Sequence, residues 1–197
     1  MSLTNIFGPM MSGKTTELIM RGKKASDAGL KVLYINTSKD NRTETMFSTH
    51  NTQIKEECVG ITMVKVNKLS EVSVKEFDLI LIDEAHFFVD LVPQVKKWLD
   101  NERKDIIVAA LSGDIKRELI GTTHQLLPLI TKESIILKSI CKKCVSETCT
   151  RVDAPYTILI SVIDDRLGQY KVGGLETYEA VCLSHYLKKQ RELGESH

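Results

Sequence analysis

The sequence predicts an α/β fold, a mostly parallel sheet with flanking helices followed by a small metal-tied C-terminal lobe. Three observations carry this expectation. The apolar run Leu3–Phe7 leads into Gly8-Pro9-Met10-Met11-Ser12-Gly13-Lys14-Thr15 and then into a helical pattern. A second apolar run ends in two acids, Phe77-Asp78-Leu79-Ile80-Leu81-Ile82-Asp83-Glu84. Toward the C-terminus stand two pairs with two-residue spacers, Cys141/Cys144 and Cys182/His185.

The stretch Gly8–Thr15 has two glycines separated by four residues, then Lys and Thr, which is the P-loop pattern. Its strand–loop–helix setting makes the fold P-loop NTPase-like. Glycines let the loop turn tightly, so the backbone N–H groups of Gly8, Pro9-Met10-Met11, Ser12 and Gly13 (Pro9 itself lacking one) and the helix N-terminus face a phosphate. Lys14 would reach the β/γ-phosphates of ATP, and the Thr15 hydroxyl would ligate Mg²⁺.

Thr15 to Ala28 reads as the first helix, stopped by Gly29. Lys31–Asn36 reads as the second strand, and this βαβ order favours a parallel sheet. Thr37–Gln53, polar and carrying Arg42 and His50, reads as a long loop. Val59–Val66 reads as a strand and Leu69–Glu76 as a short acidic helix or turn. The strand ending at Ile82 delivers its acids to the C-terminal sheet edge, where ligands of open α/β sheets bind. Asp83 is placed to hold the Mg²⁺ shell. Glu84 is placed to take a proton from an attacking hydroxyl.

Val89–Arg103 has helical spacing, with Trp98 assigned to the core. Ile106–Leu111 reads as another buried strand, and Ser112-Gly113-Asp114 leaves it on the side of the P-loop as a wall of the site. Lys116 and Arg117 in that wall either face phosphate or form a solvated charge pair. Leu126–Ile130 and Ser134–Leu137 read as packing around a turn.

Cys141, Cys144, Cys182 and His185 supply three thiols and an imidazole, the donor set of a closed structural Zn²⁺ site. The alternative is a set of buried reduced cysteines with a surface histidine. Cys58 and Cys149 read as plain thiols, and His86, His124 and His197 as non-catalytic. The expected divisions are residues 1–138, 139–190 and a fraying tail, 191–197.

Composition narrows the function classes. A chain of 197 residues with formal net charge +1 has no electrostatic footprint for nucleic acid and no polybasic membrane patch. No apolar run approaches the roughly 20 residues of a membrane span. The N-terminus lacks a basic-then-apolar leader, so we expect a cytoplasmic protein with no nucleic-acid or membrane partner.

With these anchors placed, the sequence resembles the zinc-containing thymidine kinases of animals, bacteria and large DNA viruses. Gly8-Pro-Met-Met-Ser-Gly-Lys-Thr-Thr-Glu-Leu18 resembles the family P-loop, and Ile82-Asp83-Glu84-Ala85-His86-Phe87-Phe88 its Asp-Glu-x-x-Phe-Phe signature. Thr49-His50, Ala109-Ala110-Leu111 with Gly113, and Gly173-Gly174…Tyr178…Cys182 follow in family order. The last is similar to the lasso loop that closes over the nucleoside, and Cys182–His185 to the bacterial form of the second metal knuckle.

The resemblance implies thymidine as acceptor, ATP as donor and ADP and dTMP as products, an alcohol-directed phosphotransfer in nucleotide salvage for DNA synthesis. It implies Glu84 as general base, Asp83 as the Mg²⁺-shell acid, and Lys14 and Thr15 as phosphate and metal contacts. Met10, Phe87, Leu111 and Tyr178 would surround the base, with the backbone of Val172, Gly173 and Gly174 hydrogen-bonding it. It also implies a homo-oligomer, commonly a tetramer.

The chain departs from the family where Asp-Gly-x-Phe-x-Arg-x-x-Phe-Gly is usual. Here Ser112 replaces the acid, and Ile115 and Ile120 replace both aromatics, while Arg117 is kept. Asn51 and Thr52 stand where an acid and an arginine are often found. Other readings are a P-loop kinase for another deoxynucleoside, a homologue that binds nucleotide without turnover, and a zinc-ribbon module switched by ATP.

Overall fold

The computed structural model describes residues 1–39, 60–160 and 177–194. The expectations placed on Arg42, Thr49, His50, Asn51, Thr52, Cys58, Val172, Gly173, Gly174 and His197 lie outside those residues.

Six strands form one sheet: β1 (Ser2–Gly8), β2 (Val32–Thr37), β3 (Ile61–Val66), β4 (Leu79–Ile82), β5 (Asp105–Leu111) and β6 (Glu133–Ile136). Their order is β3-β2-β4-β5-β1-β6, and every pairing is parallel. All six C-terminal ends therefore meet one edge. β2 and β4 are buried along their whole length, as strands covered on both faces must be.

Alternation along the strands sorts their side chains between two cores. Leu33, Ile35, Ile80, Ile82, Ile106 and Val108 face the layer of α2 (Leu91–Asp100), where Trp98 is fully buried. Val32, Tyr34, Leu79, Leu81, Ile107 and Ala109 face α1 (Lys14–Asp27) through Leu18 and Ile19. Gly22 in α1 permits the close approach, since a Cβ there would stand 2.4 Å from Leu81 Cδ1.

Beyond the sheet, β7 (Ser139–Ile140) pairs antiparallel with β8 (Asp153–Ala154), and β9 (Tyr156–Leu159) with β10 (Tyr178–Val181). Helices α3 (Lys142–Thr148) and α4 (Leu183–Gly194) complete this part. Cys141, Ala154, Ile158, Ala180, Val181, Cys182 and Tyr186 form a third, small core.

Two sequence expectations change here. Ser134–Leu137, read as packing around a turn, largely belongs to edge strand β6 beside β1. Helix α4 runs to Gly194, past residue 191 where the fraying tail was expected to begin.

Candidate active site

The P-loop joins β1 to α1. Gly13 caps the helix in the left-handed region at φ 86°, and Met11 also has positive φ, at 60°. Gly8 admits no side chain, because a Cβ would meet Ser12 Oγ at 2.4 Å and the Leu137 carbonyl at 2.9 Å. Lys14 is buried, and its ammonium donates to the Pro9 carbonyl at 2.7 Å, curling the loop over itself. Met10 N–H donates to Thr157 Oγ1 at 3.1 Å, which ties the loop to β9. The Met11 side chain, expected with the nucleotide contacts, packs against the third, small core, as Cys144 and Tyr156 do.

Asp83 follows β4 directly and is almost fully buried. Its carboxylate is held by donors from three elements. Thr15 Oγ1 donates to Oδ2 at 2.8 Å, Tyr34 Oη to the same oxygen at 2.7 Å, and Glu84 N–H to Oδ1 at 2.9 Å. Burial, and next the neighbouring Glu84 charge, raise the Asp83 carboxyl from the usual 3.8 to about 6, against the lowering effect of the Tyr34 and Thr15 hydroxyls. Thr15 and Asp83 thus form the paired hydroxyl and carboxylate that could hold a divalent cation.

Glu84 occupies the left-handed region at φ 47°, ψ 39°, an uncommon conformation for a residue with a Cβ. Such conformations cost on the order of 1–3 kcal/mol and cluster at functional sites. The side chain is buried, and its Oε2 lies 3.8 Å from His86 Nε2. His86, read as non-catalytic, is therefore a buried neighbour of the candidate base, with its ring 4.3 Å from that of Phe87.

Of the expected nucleoside-pocket residues, Leu111 ends β5, Phe87 lies in the short turn Ala85–Phe87, Met10 lies in the P-loop, and Tyr178 opens β10. All four are half-buried. Among the departures, Ile120 is 4% exposed, and the Ile115 carbonyl accepts a hydrogen bond from the Tyr186 hydroxyl at 3.0 Å. The Asp114 carboxylate accepts from the N–H groups of Lys116 and Glu118 at 2.8 and 2.7 Å, fixing the turn. Arg117, expected either to face phosphate or to stand solvated beside Lys116, faces two aromatic rings. Its guanidinium carbon stands 4.7 Å from the Tyr186 ring centre and 5.5 Å from that of Tyr156.

Cys141, Cys144, Cys182 and His185 converge, with their ligand atoms all within 4.8 Å of one another. Tetrahedral zinc with Zn–S about 2.3 Å and Zn–N about 2.0 Å requires S···S near 3.8 Å and S···N near 3.5 Å. The Cys144–Cys182 sulfurs are 3.7 Å apart, and His185 Nδ1 lies 3.4, 3.5 and 3.3 Å from Cys141, Cys144 and Cys182. The residues fit a metal such as zinc. On its far side His185 Nε2 meets Glu147 Oε2 at 3.0 Å, the outer carboxylate that orients a ligating imidazole.

Burial pushes the Cys182 thiol up, but hydrogen bonds with the His185 backbone and ring and with the other two thiols outweigh it, bringing it to about 7. Burial and then hydrogen bonds with Cys141 and Cys182 push Cys144 up to about 12.

The family model described as thymidine kinase matches residues 1–186. The chain belongs to the thymidine kinase family. It is 35% identical to the cytosolic thymidine kinase of Bos taurus over 189 residues, covering 93% of this chain and 71% of that protein. The thymidine kinases of monkeypox virus (strain Zaire-96-I-16) and vaccinia virus (strain Western Reserve) are each 34% identical, covering 92% of this chain and 94% of theirs.

Sequence reasoning did not single out Tyr34, Glu147, Tyr156 or Tyr186; Tyr34 entered only as part of the strand Lys31–Asn36. A phenol within the apolar stretch Val32–Ile35 is the signal that could have found Tyr34, since a buried hydroxyl must find a partner.

Proposed function

We propose that this member of the thymidine kinase family transfers the γ-phosphoryl group of ATP to the 5′-hydroxyl of thymidine, releasing ADP and dTMP. The observation that carries the reading is the juxtaposition of P-loop and acids: Thr15 Oγ1 on Asp83 Oδ2 at 2.8 Å, with Glu84 next in sequence. Gly8–Thr15 cradle the phosphates, and Lys14 exchanges its bond to Pro9 for phosphate oxygens. Thr15 and Asp83 would hold Mg²⁺, which would supply charge neutralisation to the transferring phosphoryl group. Glu84 accepts the proton of the 5′-hydroxyl as its oxygen attacks phosphorus, and buried surroundings suit it to that role. Met10, Phe87, Leu111 and Tyr178 flank the base, and the family resemblance assigns its backbone hydrogen bonds to Val172, Gly173 and Gly174.

Cys141, Cys144, Cys182 and His185 hold a structural zinc that keeps the lasso part in place. The protein acts in the cytoplasm in nucleotide salvage, as a homotetramer, without nucleic-acid or membrane partners. Among the described residues no helix is long and apolar enough to cross a membrane.

Glu84→Gln tests the reading. The variant is expected to bind ATP and thymidine with little change while turnover, followed as thymidine-dependent ADP release, drops roughly a hundredfold or more. Full activity in the variant would remove Glu84 from the base position. ADP release from the wild type with another nucleoside and none with thymidine would replace the acceptor.

A further inference from the structure

Tyr34 is the third residue of β2, 1% exposed, and its ring packs in the cluster of Leu18, Ile19 and Leu81. Nothing in that apolar cluster calls for a phenol. Phenylalanine would fill the same space without bringing a hydroxyl out of water, so the hydroxyl answers to its partner. The partner is Asp83 Oδ2, at 2.7 Å, the same oxygen that receives Thr15 Oγ1 at 2.8 Å. With Glu84 N–H on Oδ1, the carboxylate is fixed from α1, from β2 and from its own segment.

We propose that Tyr34 is a positioning residue for the metal–nucleotide half of the site. By locking the Asp83 carboxylate, it keeps the Thr15 hydroxyl hydrogen on that carboxylate and leaves the Thr15 oxygen lone pairs for a divalent cation. This rests on the assignment above of Thr15 and Asp83 as the cation-holding pair. Donation across the sheet from β2 makes the arrangement exist before nucleotide arrives, so little ordering remains to be done on binding.

The test is Tyr34→Phe, which keeps the ring and removes one hydrogen bond to a carboxylate. Mn²⁺ is titrated into the full-length protein saturated with a non-hydrolysable ATP analogue, and free Mn²⁺ is read by electron paramagnetic resonance. The Mn²⁺ dissociation constant is expected to rise about tenfold, the worth of one such bond. The Mg²⁺ concentration giving half-maximal rate should rise in parallel, with the thymidine KM unmoved. Ile19→Val, which loosens the same cluster without touching the hydroxyl, should leave Mn²⁺ affinity as in the wild type. Unchanged affinity in Tyr34→Phe overturns the proposal, and so does an equal loss in Ile19→Val, which would assign the effect to packing. Because the titration contains no nucleoside, it stands whichever acceptor the protein uses, whereas absent thymidine turnover in the wild type would sink the functional reading alone.

Discussion

Asp83 carries the sharpest consequence at the scale of one residue. Its carboxyl is raised to about 6, first by burial and then by Glu84, so the folded, cation-free protein binds a proton that the unfolded chain releases near its ordinary value. For a raised acid the sign runs against burial of the ionised form: this residue's contribution to stability falls as pH climbs from about 4 to about 6 and is level above that. A divalent cation needs the ionised form. Below about pH 6 it must displace the proton, and its apparent affinity for the nucleotide complex should drop about tenfold per pH unit. Mn²⁺ titrations at pH 5 and pH 7 check this; equal affinities would mean that Asp83 is already ionised at the lower pH. The left-handed backbone of Glu84 belongs to the same scale, since it turns the candidate base away from the direction of its neighbour.

Among the elements, the segment after β5 is where one atom too many matters most. Gly121 has φ 57°, and a Cβ there would lie 2.5 Å from the His86 carbonyl oxygen. Gly121→Ala therefore meets both a left-handed penalty of about 1–2 kcal/mol and a steric one of about 1–3 kcal/mol. We expect the melting temperature to fall by roughly 5–10 °C and the thymidine KM to rise more than the ATP KM. A variant that melts like the wild type would show that the turn shifts freely away from His86. The same segment shows what sequence could and could not tell. β4 and the Ile106–Leu111 part of β5 were legible because strands buried on both faces leave uninterrupted apolar runs, and β1 and β2 because shorter apolar stretches flank the P-loop and its helix. β6 was not, because an edge strand with three of four residues exposed carries no such run. Helix α4 hid in the same way, its outward face so charged that only Tyr186 betrays the packed side. At the site, motif residues were legible because a P-loop fixes both chemistry and spacing. Tyr34 and Arg117 were not, since their partners are contacts across the fold that no local pattern encodes.

Across the whole molecule, the Cys/His cluster and the segment after β5 are mechanically joined. Tyr186 follows His185, its hydroxyl holds the Ile115 carbonyl, and its ring faces Arg117. Cys144→Ser should lower the melting temperature, reduce bound zinc and raise the thymidine KM, since structural zinc contributes folding free energy directly. Unchanged melting together with no zinc in the purified wild type would remove the metal from the account. Strand order has its own effect, on how the chain comes to be folded. Strand β1, the earliest in this sequence, lies between β5 and β6, whose residues begin at Asp105 and Glu133. Among the described residues, β1 pairs with no strand that begins before Asp105. Its closure then joins distant segments at a large entropic cost, making assembly slow and all-or-none rather than piecewise. A nascent chain stalled before Asp105 holds the entire P-loop sequence and has no sheet position in which to seat it.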